Sequence, residues 1–150
     1  MNVKKKENET IDKYCLETSA IIALLQNEKG SNKVMTLLSR AEKGNVLIFY
    51  SFMTRFELLY QAKTGTKKWG INELQIWLEK LKKLKASEIQ YSEDILQKAV
   101  ELKVESKRTK NMDCSVWDAW IAASADTSKT ILFHKDRHFS FLSIRNESIL

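Results

Sequence analysis

Four acidic residues stand where an ordinary surface acid is not expected. Glu17 closes the short apolar run Tyr14-Cys15-Leu16 in "CLETSAIIALL", and Asp136 follows a second apolar run in "TILFHKD". Glu57 lies inside "FMTRFELLYQA", and Asp118 inside "SVWDAWIAASA" between two tryptophans. Asp is a poor helix-interior residue because its side chain competes for backbone hydrogen bonds. A carboxylate buried without a partner costs several kcal/mol. Each acid taken singly has an ordinary explanation. Thr54-x-x-Glu57 and Ser115-x-x-Asp118 match capping boxes, Thr18 or Ser19 suits the start of the next helix, and Asp136 suits a polar turn. Taken jointly, four carboxylates meeting in one crevice would repel one another and their pKa values would rise unless a cation neutralised them. Hard oxygen donors without neighbouring thiolate or imidazole select Mg2+ or Mn2+ over zinc. A partly filled shell of that kind activates water against a phosphodiester.

The elements that must position these acids alternate along the chain. The apolar pattern predicts strands over 13–17, 45–50, 87–91 and 130–134, and a short last one over 139–144. Helices are expected over 18–27, 31–43, 52–63, 71–84, 92–106 and 115–125. Strand–helix alternation of this kind implies an α/β fold, with helices on both faces of a mostly parallel sheet of four or five strands. In such sheets the reactive crevice lies outside the carboxyl ends of the strands. Glu17 and Asp136 fall there.

The 150 residues suit one domain over 13–150, preceded by a charged, flexible tail over 1–12. That N-terminus has no apolar core of a secretory signal, and no run of about 18 apolar residues suggests a membrane span. Two cysteines, Cys15 and Cys114, are too few for a zinc site. They read as reduced core residues of a cytoplasmic protein. The net charge of +6 mildly favours a polyanionic partner such as nucleic acid.

The four acid-bearing segments together resemble the PIN domain family. "CLETSAIIALL" looks like its opening motif, which usually reads Asp-Thr/Ser-Ser before a small-apolar helix. "SFMTRFELLYQA" resembles its second motif, a hydroxyl residue three places before a Glu. "DCSVWDAWIAASA" is similar to its Asp-Ala-x-Ile-Ala-Ala motif, the most specific of the set, and "ILFHKDRHF" to its closing strand, turn and Asp-x-x-Phe. The order fits over residues 13–142, and the length suits the VapC-like branch. The resemblance implies a PIN-like, Rossmann-like three-layer sandwich. It implies that Glu17, Glu57, Asp118 and Asp136 form a Mg2+ or Mn2+ cluster. It further implies RNA endonuclease activity leaving 3′-OH and 5′-phosphate ends, and the role of a toxin, commonly a homodimer, neutralised by a small antitoxin. Two positions depart from the family: Glu17 where Asp is usual, and His134 where Thr or Ser is. The added methylene of Glu17 moves the carboxylate by about 1 Å, a displacement that can lower a rate on the order of 100-fold. The alternative is therefore a degenerate PIN domain that binds RNA or protein without cutting. A phosphohydrolase acting on small phosphate esters would place a nucleophilic Asp after the first strand, which Glu17 serves poorly.

Lesser features are expected as follows. The basic stretches 103–111 and 63–69 either track an RNA backbone or are solvated loops. Asp113 is expected to cap the Asp118 helix, His134 to be structural rather than a phosphate contact, and Trp69 and Trp77 to pack on the core.

Overall fold

A computed structural model describes residues 10–65, 67–109 and 112–150. Most of the expected N-terminal tail, residues 1–9, lies outside the described residues, as do the last two positions of the basic stretch 103–111 and Thr66 of the other. Five parallel strands form one sheet: β1 (Asp12–Leu16), β2 (Val46–Ser51), β3 (Ser87–Ile89), β4 (Ile131–His134) and β5 (Asn146–Ser148), in the order β3-β2-β1-β4-β5. Six helices flank it: α1 (Thr18–Gln26), α2 (Ser31–Glu42), α3 (Phe52–Thr64), α4 (Ile71–Lys83), α5 (Glu93–Arg108) and α6 (Val116–Thr127).

Strand alternation sorts the core into two layers. Tyr14, Leu16 and Phe133 pack on one face with Ile21 and Leu24 of α1, Val34 of α2, Leu58 of α3 and Leu74 of α4. Cys15 and Leu132, the residues between them, pack on the other face with Ile95 and Leu102 of α5 and Ile121 of α6. A strand's side chains point alternately to opposite faces, so central strands covered on both sides must be apolar throughout. "YCL" and "LF" are. On the second face Ala119, Ala122, Ala123 and Ala125 of α6 are all buried. Their small side chains let α6 lie close to both the sheet and α5.

The path of the chain makes one reversal. It runs outward from β1 through β2 to β3, then returns to place β4 on the other side of β1. The switch point is therefore the gap between β1 and β4. Two bonds stitch the loops there: Glu17 N donates to Phe133 O at 3.0 Å, and Lys135 N donates to Ser19 Oγ at 2.9 Å.

Several local expectations are corrected. The stretch 139–144 is not a strand: Arg137–Phe141 is a short 3-10 helix, and the edge strand follows at Asn146–Ser148. Phe139 must turn inward to fill the second core, which an extended chain beside β4 would not allow. The third strand ends at Ile89 rather than Tyr91. Both cysteines are free and buried, as expected. Among the described residues no helix is long and apolar enough to cross a membrane.

Candidate active site

All four acids lie along the carboxyl edge of the sheet, but each is placed by a different local device. Glu17 leaves β1 with extended backbone and is itself the N-cap of α1. Its Oε2 accepts from Ser19 N at 2.7 Å and from the Ser19 hydroxyl. The expected caps, Thr18 and Ser19, are thus already inside the helix. The acid reaches the free amides itself, and a negative charge is favoured at that end. Because Thr18 is not the cap, its hydroxyl is free to donate to Glu57 Oε1 at 3.0 Å, across from α1 to α3.

Glu57 does not belong to a capping box. Helix α3 begins at Phe52 and is capped by Ser51, whose Oγ accepts from Met53 N at 3.2 Å. Glu57 therefore sits in the second turn, and Thr54 is buried in the helix interior. The Ser51 hydroxyl pairs at 3.1 Å with that of Ser124, which is anchored on Trp120 O at 2.9 Å. This buried hydroxyl pair ties the start of α3 to α6. Asp118 is, as expected, in the first turn of its helix, capped by Ser115, whose Oγ accepts from Asp118 N at 3.1 Å. Asp113 is not that cap: it pairs with Lys103 Nζ at 2.8 Å, which also takes up one charge of the basic stretch. Asp136 caps the 3-10 helix by accepting from His138 N at 2.9 Å, with His138 Nδ1 at 3.1 Å from the same oxygen.

The electrostatics bind the four into one neighbourhood. Glu17 is only 4% exposed, and burial pushes its carboxyl up to about 7; the Ser19 bonds oppose that rise, and the Asp118 and Glu57 charges add to it. Burial also raises Glu57, against the Thr18 bond and with the Asp118 charge. Asp118 is raised by burial, held back by its Ser115 bond, raised again by Asp136 and eased by His138. Each of the four acids thus enters at least one of these pairings. No lysine or arginine forms an ion pair with any of them among the described residues.

This is the chemistry of a cation site. The donors are all carboxylate oxygens, which suit Mg2+ or Mn2+, and desolvated like charges need a positive partner. The shell is not closed. Among the described residues no three His, Cys, Asp or Glu side chains stand close enough together to hold a metal. Glu17 accepts both Ser19 bonds through Oε2, which leaves Oε1 with its acceptor capacity.

The expectations for His134 and the two tryptophans hold. His134 is fully buried at the end of β4, with Nε2 at 2.9 Å from Asn146 Oδ1, so it ties β4 to the edge strand and is not a surface contact for phosphate. Trp69 is buried in the first core, and Trp77 packs against that core half-buried. Three participants do not stand out in the sequence: Ser19 as the clasp of Glu17, Thr18 as the clasp of Glu57, and His138 beside Asp136. The hydroxyl pair after Glu17 is the available signal for the first two. Nothing local marks the third.

Comparison with known proteins bears on the fold and the family. No curated protein sequence matches the chain. Among solved structures, VapBC2 from Rickettsia felis bound to a promoter DNA fragment is 20% identical, with TM-score 0.71 over 91% of this chain and 98% of that one. DNA-bound VapBC from Salmonella typhimurium is 20% identical, with TM-score 0.70 over 93% and 99%. VapBC-1 from nontypeable Haemophilus influenzae is 20% identical, with TM-score 0.66 over 91% and 98%. At that identity these likenesses speak for the fold. The model of the PIN domain matches residues 14–143, a span that contains all four acids, and the chain belongs to the PIN domain family.

Proposed function

We propose that the protein is a divalent-metal-dependent endoribonuclease and the toxin of a VapBC-like pair, acting in the cytoplasm as a homodimer until a small antitoxin covers its site. One observation carries the reading: at the carboxyl edge of the sheet, Glu17, Glu57 and Asp118 are desolvated near one another, and among the described residues no lysine or arginine is paired to them. The antitoxin part rests on the likeness to VapBC complexes. Glu17, Glu57, Asp118 and Asp136 would have to draw closer together to hold Mg2+ or Mn2+, which when bound would neutralise the cluster and make water a competent nucleophile toward phosphorus. The chain's own residues do the positioning. Ser19 fixes one Glu17 oxygen and leaves the other as an acceptor. The Thr18 hydroxyl holds Glu57 Oε1. Asp136, stiffened by the His138 amide, flanks the more open side.

The test is cleavage of RNA with Mg2+ or Mn2+, abolished by EDTA and by Asp118→Asn. Metal-dependent cleavage that survives loss of both Asp118 and Asp136 overturns the residue assignment. A second reading has its own support: the longer Glu17 replaces the family's usual Asp, and the carboxylates do not stand in a closed shell. A degenerate, binding-only PIN domain leaves RNA intact even as Glu17→Asp with Mn2+. Cleavage by the native protein, or gain of cleavage in Glu17→Asp, excludes it.

A further inference from the structure

Helices α3 and α6 meet twice at the site. Glu57 and Asp118 interact electrostatically, and one residue earlier on each helix Phe56 stacks on Trp117, with ring centroids 5.2 Å apart and planes 19° from parallel. Tyr60, one turn along α3, continues the stack onto Phe56 at 6.4 Å and 7°. The three rings are 52%, 39% and 62% exposed for Phe56, Trp117 and Tyr60. Near-parallel rings at these separations overlap only in part, so each leaves some of its face uncovered. Lys63, exposed and three residues beyond Tyr60, extends the same helix face with a cation.

The neighbouring aromatic group shows what filled packing looks like in this fold. Trp120, three residues after Trp117, is closed in by Phe52 edge-on at 5.6 Å and by Tyr91 stacked at 5.8 Å, and it packs on the second core. Trp117 meets one ring, Phe56, among the described residues and stays 39% exposed. An open, adjoining set of aromatic faces on a protein is rarely left without a use.

We propose that the Tyr60–Phe56–Trp117 stack is a platform for unpaired bases of single-stranded RNA, seating the nucleotides beside the carboxylates that would hold the metal. The substrate class follows from geometry and charge. Base faces are hidden in a duplex and open in a single strand, and aromatic rings receive them without regard to sequence. The net charge of +6 suits a polyanion, and the platform bridges the same two helices as the acids. The inference rests on the nucleic-acid reading above, but it does not require cleavage.

Binding is therefore measured with the metal chelated. A short fluorescein-labelled RNA without self-complementarity is titrated into the native protein in EDTA, beside the blunt duplex of the same sequence. The single strand is expected to bind more tightly and to quench tryptophan fluorescence. Phe56→Ala and Trp117→Ala are each expected to weaken single-strand binding roughly ten-fold, as loss of one stacked base does. Phe56→Trp restores it. The platform is overturned if both alanine variants bind as the native protein does, or if duplex and single strand bind alike. It is also overturned if the alanine variants leave RNA affinity unchanged and convert a dimer to a monomer in sedimentation, which would make the face a contact between two copies. Platform-dependent binding without any cleavage in Mn2+ leaves the platform standing and removes the nuclease. Cleavage with unaltered RNA affinity in the variants does the reverse.

Discussion

The two halves of the acidic crevice differ in how far they are withdrawn from water, and Glu17 makes the difference. The inner half, Glu17 and Glu57, is tied to the start of α1: Glu17 is buried on the amide and hydroxyl of Ser19, and Glu57 is half-buried on the Thr18 hydroxyl. The outer half, Asp118 and Asp136, sits half-buried at the starts of α6 and the 3-10 helix, Asp118 bonded by the Ser115 hydroxyl and Asp136 by the His138 amide, with a histidine at its edge. Burial and not the kind of donor separates the halves: of the four acids Glu17 alone is buried. Glu17 therefore carries the larger electrostatic cost when no cation is present, and the outer half keeps contact with solvent.

Breaking the outer half is expected to have the largest functional effect. Asp118→Asn should lower RNA cleavage by more than about 100-fold, since even partners that merely orient metal ligands contribute 10–100-fold. Its thermal stability should change little, because Asp118 is only half-buried. A variant that cleaves within a few-fold of native overturns the contrast.

The inner half is tested by stability. The folded Glu17 carboxyl lies near 7 against an ordinary 4.5, so folding favours its protonated form. The stability this gives is complete below pH 4.5 and is lost as pH rises to about 7. Metal-free native protein should thus be less stable at pH 8 than at pH 5, by as much as about 3 kcal/mol from this residue. Glu17→Gln should remove most of that dependence and stabilise the metal-free protein at pH 8 in urea unfolding. Equal gains from Glu17→Gln and Asp118→Asn would erase the distinction between the halves.

Thr18→Val keeps the shape and deletes the hydroxyl that steadies Glu57. A loss of roughly ten-fold in cleavage is expected, as for other groups that orient a ligand; kinetics indistinguishable from native would mean the clasp is incidental. The smallest effect is expected at the rim. Lys135 Nζ lies 2.6 Å from Glu28, but both are partly exposed, and such pairs contribute about 1 kcal/mol or less. Lys135→Met should shift the unfolding midpoint only slightly.

The same contrast accounts for which site features are legible in the sequence. Glu17 and Asp136 can be placed because an apolar run ends just before each, and strand ends in an α/β sheet share one edge. Asp118 can be placed because Ser115 and the alanine-rich text fix the helix start. For Glu57 the sequence points to the right helix and the wrong turn. Ser51, the last residue of β2, caps α3, and Thr54 only imitates a cap at the matching spacing. The last strand escapes the sequence pattern because "FSFLSI" is apolar enough for a strand, while the edge strand "NES" is short and polar. A three-residue edge strand is set by pairing with its neighbour, not by its own pattern.

The residue types alone determined that this chain forms a two-faced α/β sheet and that acids follow its first and fourth strands. Periodicity and burial need are local properties, and they are written in order along the chain. Only the tertiary structure decided that β4 returns beside β1, that Ser19 touches Lys135 across 116 positions, and that Phe56 meets Trp117. Those contacts depend on where separate elements dock, and docking follows the packing of both core layers at once. Whether an acid becomes a cap, a ligand or both is settled at that level.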